Sequence, residues 1–388
     1  MSRPVAIIGA GIGGLTAALC LARRGFEVDI IERATALTEV GAGLQLSPNA
    51  SRILIELGLL AQLESVWTEP ERIGLVDGRS LRALANVSAG TFARRRWHAP
   101  YGVLHRASLQ KILLQAVQSE PRCRLHLGCQ IDKPGEQAIA DVTGRKPDVV
   151  IGADGIWSRL RESVPGAGRV RFSGNVAWRM TLAADIAAGV LKRDDVTAFL
   201  GPHAHLVAYP LREVGGFNLV AIIEGKETDA VWVGKDSDER RQDCLNAFSG
   251  WNPGIRSLLE KAVAPTYWPL CTVDDGAWQD GQRTVLIGDA AHAMTPFAAQ
   301  GAAMAIEDAF ALAACLSEDL SVSDSLRKFE ALRRPRIARV RRRAAFNHFA
   351  YHARGPVRIG RDMVLKLKGA DALAADLDWL YGYGAPER

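Results

Sequence analysis

PVAIIGAGIGGLTAALCLARRGFEVDIIER, residues 4–33, decides the fold of this chain. Val5 to Ile8 is a short apolar run that reads as a strand buried on both faces. Gly9, Gly11 and Gly14 follow as G-x-G-x-x-G, and the Ala/Leu-rich run from Leu15 to Ala22 reads as a helix. Glu27 to Ile31 is a second strand, ending in Glu32 with Arg33 beside it. In such a unit Gly9 allows the tight turn, Gly11 lets a pyrophosphate approach the backbone, and Gly14 lets helix and strand pack closely. The helix start offers free N–H groups and a positive dipole end to phosphates. Glu32, 18 residues after Gly14, is placed to accept hydrogen bonds from a ribose diol. A glycine motif alone is weak. Set between a strand and a helix, with an acid closing the next strand, it specifies a dinucleotide site.

The bulk properties narrow the class. A chain of 388 residues is long enough for two cores, which can be interleaved. With 48% hydrophobic and 23% charged residues it has the make-up of an ordinary globular protein. A net charge of +5 does not by itself argue for nucleic acid. Six cysteines are scattered without a C-x-x-C or a Cys/His cluster, which reads as reduced thiols and no metal site. Arg3 before an apolar run resembles a signal peptide, but the glycine motif inside that run favours strand, turn and helix. No apolar stretch reaches the roughly 18 residues needed to span a membrane. The expected setting is the cytoplasm.

Farther along, Gly41 to Asn49 is a glycine-rich loop entering a helix from Ala50 to Leu57, with Gly58 as its stop. Residues 73–104 carry short strand-like pieces broken at Asp77-Gly78 and Ala89-Gly90, a hairpin pattern. Arg106 stands at the entry of an amphipathic helix, Ser108 to Gln118, where a phosphate or a carboxylate would suit it equally. From 169 to 232 the strands Arg169–Leu182, Val196–Leu200, His205–Pro210 and Phe217–Glu224 follow one another without a long helix, which predicts a separate antiparallel sheet. Two polar helices, Asp236–Phe248 and Pro253–Val263, come next. The Arg-rich run 333–343 reads as a long surface helix, and without interleaved aromatics it does not read as a nucleic-acid contact. Residues 344–388 are expected to add helices at Ala345–His352, Val357–Lys368 and Ala370–Tyr381.

Two more stretches have ligand-facing layouts. DVVIGADGIWSRLR, 148–161, is a buried strand ending in Asp154-Gly155. TVLIGDAAHAMTPFAAQGAAMAIEDA, 284–309, is a strand ending at Gly288-Asp289, then a loop with Pro296, then a helix opened by Gln300-Gly301. Asp289 can hold a sugar or ribityl hydroxyl, and the amides at the helix start can face an electron-rich ring edge.

With these three motifs the chain resembles the single-component flavoprotein aromatic hydroxylases, the group of p-hydroxybenzoate, salicylate and 3-hydroxybenzoate hydroxylases. The resemblance extends through nearly all of the first 340 residues. It implies a p-hydroxybenzoate hydroxylase-like fold: a Rossmann-like, α/β FAD-binding domain with an interleaved antiparallel-sheet substrate domain and a helical C-terminal tail. The implied division is 1–72, 105–168 and 271–343 for FAD, 73–104 and 169–270 for substrate, and 344–388 for the tail.

The resemblance also implies roles for residues. Gly9, Gly11 and Gly14 would take the FAD pyrophosphate, Glu32 with Arg33 the adenosine ribose, and Arg106 the pyrophosphate side. Asp154 would lie near FAD on the path of the pyridine nucleotide, Asp289 would hold the ribityl chain, and Gly301 and Ala302 would face the isoalloxazine. His205 and Tyr209 match a His-x-x-x-Tyr pair that lines the substrate cavity, and on a strand positions i and i+4 share a face. Pro296 matches a proline beside the substrate and flavin, and Gln45 would reach the ring. Phe297 departs from relatives that carry a histidine there, which implies a more apolar pocket. His292 reads as structural.

The implied chemistry is hydride transfer from NADH or NADPH to FAD, then reaction with O₂ to a flavin C4a-hydroperoxide that hydroxylates a small aromatic acid of hydroxybenzoate or hydroxypyridine type. No second glycine motif exists for the nicotinamide cofactor, in keeping with transient binding in a groove. Two other readings stay open: a non-oxygenating flavoprotein on the same fold, and a monooxygenase of a larger apolar substrate such as a quinone or polyketide. The expected assembly is a monomer or homodimer.

Overall fold

The computed structural model describes residues 3–37, 43–131, 135–187, 189–226 and 238–384. Gly41 and Ala42 of the second glycine-rich loop, and Asp236 at the expected start of a polar helix, lie outside the described residues.

Strands are numbered in chain order. The strand β1 (Pro4–Ile8) sits at the centre of a parallel sheet with β2 (Glu27–Glu32), β7 (Cys123–Leu127), β8 (Val149–Gly152) and β14 (Thr284–Leu286). Its order is β14-β8-β1-β2-β7, and every neighbouring pair is parallel. The chain leaves β1 first to one side and later returns on the other, so the strand order reverses at β1. Ligands of open α/β sheets bind beyond the carboxyl ends of the strands at such a switch point. The apolar run recognised in β8 is buried along its whole length. The helix Ile12–Ala22 is buried almost all round because a second apolar helix, Gly301–Leu316, lies against it. A Cβ on Gly13 would stand 3.2 Å from the Ala305 methyl, so the two backbones approach closely.

The second sheet contains β4 (Arg72–Asp77), β5 (Ala83–Ser88), β9 (Val170–Ala183), β10 (Asp195–Gly201), β11 (Ala204–Leu211), β12 (Gly216–Glu224) and β13 (Val263–Val273). Its order is β13-β9-β12-β11-β10-β4-β5, antiparallel except where β10 meets β4. A two-stranded ribbon of β3 (Gly43–Leu46) and β6 (Gly102–His105) links the two sheets, and β6 also touches β11.

Three local expectations are corrected. The second polar helix ends at Lys261, and Val263–Val273 is an eleven-residue strand. Pro265 and Pro269 bar a helix there, while Val, Thr, Tyr and Trp suit an edge strand, where prolines are tolerated. Within 73–104, Thr91–Trp97 is a helix whose Trp97 indole N–H donates to Asp378 at 2.8 Å. The expected helix at 345–352 is the end of a single 30-residue helix, Val322–Tyr351.

That long helix is also no simple surface element. Arg333 is fully buried and Arg336 nearly so. Arg333 donates to Asp308 and Glu307 at 2.7 Å each, and Arg336 donates to Glu307 at 2.8 Å. Buried guanidinium groups persist only when their forks meet carboxylates, and the helix Gly301–Leu316 supplies two. Arg336 also donates to the Trp379 and Leu380 carbonyls, which fastens the C-terminal tail to the body. No helix of the described residues is long and apolar enough to cross a membrane.

Candidate functional site

The first glycine turn is built by sterics. Gly9 has φ +105°, and a Cβ there would lie 2.5 Å from the Ala153 carbonyl oxygen. A Cβ on Gly14 would lie 2.0 Å from the Gly9 oxygen, so only hydrogen fits between helix and strand. At Gly11 a Cβ would meet nothing within 4 Å. The protein does not need glycine at Gly11 for its own packing; the free space faces a cleft.

That cleft has a volume of about 370 Å³ and runs past Gly9, Gly11, Glu32, Arg33, Arg106, Asp154, Asp289, Gly301 and Ala302. Gly14 does not line it. The Glu32 carboxylate accepts the Ala10 N–H and the Ala34 N–H at 2.9 Å each, which fixes its orientation and leaves lone pairs for hydroxyls. Asp154 accepts the Arg159 N–H at 2.9 Å through one oxygen, while its other oxygen is buried without a partner. Buried acceptors are nearly always satisfied, and a ligand hydroxyl in the cleft would satisfy this one. A helix start at Gly11, open space above it, a ribose-type acid and an orphan carboxylate oxygen together fit FAD.

Two residues that were not singled out for this site hold the cleft together. Gln110, buried in the helix Arg106–Gln118, donates to the Ala10 carbonyl at 3.1 Å. Arg161 donates to the carbonyls of Ala290 at 2.8 Å and Ile156 at 2.7 Å, tying the Asp154 loop to the Asp289 loop. Trp157 stands on the rim, 41% exposed. Trp157 and Arg161 lie within the 148–161 motif, whereas nothing in the sequence marked Gln110.

His292, read as structural, is buried and bonded to Asp308 at 2.6 Å. Burial works against the Asp308 carboxylate, but the charges of His292 and Arg333 override it and hold its pKa down at about 2.

A second cavity, about 850 Å³, lies between β4, β5, β10 and β11 on one side and the C-terminal helices on the other. Gln45, His205, Pro296 and Phe297 line it. Tyr209 does not. Four residues along β11 carry it about 13 Å from His205, to where its ring packs on Gly43; a Cβ there would sit 2.5 Å from that ring. Burial raises the Tyr209 phenol, with Arg179 opposing.

The cavity joins the cleft through one loop. Pro296 to Ala299 face the cavity, and Gly301 and Ala302 face the cleft. The loop is pinned by Asn347, which donates to the Phe297 carbonyl at 2.9 Å, and by the His348 ring, stacked on Phe297 at 4.3 Å. The Gln45 oxygen accepts the Tyr101 hydroxyl at 2.6 Å, and Tyr101 faces Tyr381 at 6.0 Å.

His205 is buried, its Nδ1 2.9 Å from Nε2 of His352. Burial and then the nearby His352 and His348 push its pKa well below the ordinary histidine value. Burial lowers His352 to about 3. Both rings are therefore neutral at pH 7, and the one bond between them takes up Nδ1 of His205. Its Nε2 is the nitrogen left for a cavity ligand.

The model of a family described as "FAD binding domain" matches residues 2–344. The chain is 37% identical to a 3-amino-4-hydroxybenzoate 2-monooxygenase from Streptomyces platensis, covering 98% of this chain and 96% of that one. It is 33% identical to 3-hydroxybenzoate 6-hydroxylase 1 of Aquipseudomonas alcaligenes over 100% of both chains. The crystal structure of Klebsiella pneumoniae HpxO complexed with FAD and uric acid superimposes with a TM-score of 0.83 at 23% identity, covering 98% of this chain and 96% of that one.

Proposed function

The chain belongs to the FAD-binding family of single-component aromatic hydroxylases and is an FAD-dependent monooxygenase using NAD(P)H; on that premise we propose that it hydroxylates a small aromatic acid of hydroxybenzoate or hydroxypyridine type. The observation that carries this reading is the Pro296–Ala302 segment, which borders the substrate cavity with one end and the cofactor cleft with the other. A ring bound against Pro296 and Phe297 lies within one short loop of the cofactor.

When bound, FAD supplies acceptance of a hydride from NAD(P)H and activation of O₂ for insertion of one oxygen atom into the ring. In this reading Gly9 and Gly11 leave room for the pyrophosphate, with Arg106 offering a countercharge, and Glu32 holds the ribose hydroxyls. Asp289 and the amides at Gly301 and Ala302 serve the ribityl chain and the ring edge. Asp154 takes a hydroxyl with its free oxygen. Phe297, Tyr101 and Tyr381 exclude water and hold the substrate ring in one plane. His205, kept neutral, offers Nε2 as a hydrogen-bond partner that orients a ring hydroxyl, without taking its proton outright. Tyr209 acts from behind Gly43 by fixing the strand that presents Gln45.

The proposed division follows the two sheets, 1–72, 105–168 and 271–343 for the cofactor and 73–104 with 169–270 for the substrate, although Gln45, Pro296, Phe297 and Arg343 of the first group also line the substrate cavity. The NAD(P)H requirement suits a cytoplasmic enzyme, and the proposed assembly is a monomer or homodimer. A second reading, a larger apolar substrate, is favoured by cavity size: 850 Å³ exceeds what one ring fills.

The test is NADH and NADPH consumption by the flavin-loaded protein with salicylate, 3- and 4-hydroxybenzoate and 6-hydroxynicotinate, with products weighed by mass spectrometry. Faster oxidation with one added oxygen supports the proposal. No stimulation by any acid, with a larger phenol or quinone turned over instead, moves the assignment to the second reading.

A further inference from the structure

Four cationic side chains from the C-terminal helices line the 850 Å³ cavity: Arg339, Arg343, Arg361 and Lys368. Three of them are engaged. Arg361 donates to Asp362 at 2.7 Å and to the Ala350 carbonyl at 2.9 Å. Lys368 donates to Asp376 at 2.6 Å. Arg339 is exposed and lies over the Trp379 ring at 4.0 Å.

Arg343 differs. It is half-buried, no carboxylate of the described residues pairs with it, and its Nε is shut off from solvent without an acceptor. The Phe346 ring lies 6.0 Å from its guanidinium carbon and offers no hydrogen bond. A guanidinium N–H enclosed without an acceptor is costly, and such a group is retained where a ligand completes it.

The position of Arg343 relative to the substrate loop is fixed. It precedes Asn347 by one helical turn, so both project from one face of Val322–Tyr351, and Asn347 holds the Phe297 carbonyl. Its charge also reaches Tyr351 and Tyr381, where it opposes the rise that burial imposes on both phenols. Tyr351 in turn touches the His205 ring at 5.3 Å. The cavity is thus lined by a neutral imidazole, by a guanidinium with which no carboxylate of the described residues pairs, and by aromatic rings.

We propose that Arg343 is the specificity-determining residue that binds the carboxylate of the aromatic substrate, its planar fork meeting the two oxygens while the ring hydroxyl points toward His205. The inference rests on the aromatic-acid reading above and deepens it, because it makes the carboxylate a required part of the substrate. A planar, bidentate donor is the natural partner of a carboxylate, and lysine reproduces its charge but not its fork.

The test uses the flavin-loaded full chain and the perturbation of its flavin absorbance on titration. The probes are salicylate, 3- and 4-hydroxybenzoate and 6-hydroxynicotinate, each beside its own neutral amide. For the best acid, R343Q is expected to raise Kd about 30-fold and to leave the amide within about twofold of wild type. R343K should recover part of the loss. R342Q, on the exposed neighbour, should change neither. Equal losses for acid and amide, or an acid Kd unchanged in R343Q while turnover continues, overturn the role of Arg343 and leave the hydroxylase reading intact. If no acid perturbs the flavin or speeds NAD(P)H oxidation in the wild type, the aromatic-acid reading fails and Arg343 falls with it.

Discussion

The cofactor cleft and the substrate cavity share one loop yet are built in opposite ways. The cleft is backbone: glycines that admit no side chain at Gly9 and Gly14, open space at Gly11 and Gly301, and strand ends that aim two aspartates and a glutamate. The cavity is side chains: Gln45, Tyr101, His205, Phe297, Tyr351 and Tyr381 arrive from six separate segments. A backbone-built site demands fixed residue types at fixed spacing. A side-chain-built site demands only that distant surfaces meet, and it can change its ligand without changing the fold.

The contrast can be broken most severely at the glycine turn. Gly14→Val drives side-chain atoms into the Gly9 oxygen and is expected to cost more than about 4 kcal/mol, leaving little folded protein by urea denaturation. Gly11→Val is the sharper variant. Space for it exists in the protein alone, so the apo form should keep its Tm while FAD affinity falls about 100-fold or more. If Gly11→Val binds FAD normally, the cleft has been misassigned.

Next in size is the buried ion cluster below the loop. Arg333→Met leaves buried Glu307 only Arg336 and buried Asp308 only His292 as partners, at an expected cost of about 3–5 kcal/mol. If urea unfolding shows less than about 1 kcal/mol, the cluster behaves like surface pairs and contributes little.

A smaller effect, confined to the cavity, belongs to His205. His205→Gln removes the group that orients the ring hydroxyl and should lower kcat about 100-fold without changing the flavin content of the purified enzyme. Loss of flavin in this variant would mean that the two sites are not separable as described.

The mildest effect is in pH. His205 and His352 have folded pKa values below the unfolded histidine value near 6.5, with His352 at about 3. Between those values the unfolded chain binds more protons, so stability is full above about pH 6.5 and is lost as pH falls toward 3. His352→Gln should flatten Tm against pH in this window. An unchanged slope would mean that other groups carry the acid response.

The same contrast explains what was legible. The strand–glycine–helix unit, the strands ending at Asp154 and Asp289, and the strand-rich middle could be read because local periodicity and turn residues dictate them. Arg161 and Gln110 were not singled out, because their partners are carbonyls on distant loops. Arg333 and Arg336 looked like surface charge because their carboxylates lie 25 to 29 residues away on another helix. The spacing of His205 and Tyr209 correctly places both on one strand. It is blind to the distance along that strand, which leaves one in the cavity and the other under Gly43. Arg343 was one of many arginines in a basic run, and only packing showed that it stands at a cavity without a partner.

The central claim is insertion of one oxygen atom from O₂ into an aromatic acid at the cavity. The most direct measurement is product mass after turnover of the preferred acid with NAD(P)H under ¹⁸O₂ and under ¹⁶O₂. The expected result is a hydroxylated product heavier by one oxygen, carrying the ¹⁸O label in step with NAD(P)H consumed. NAD(P)H consumed with hydrogen peroxide formed and no labelled product would contradict it, leaving a flavoprotein that oxidises its nicotinamide partner without hydroxylating a ring.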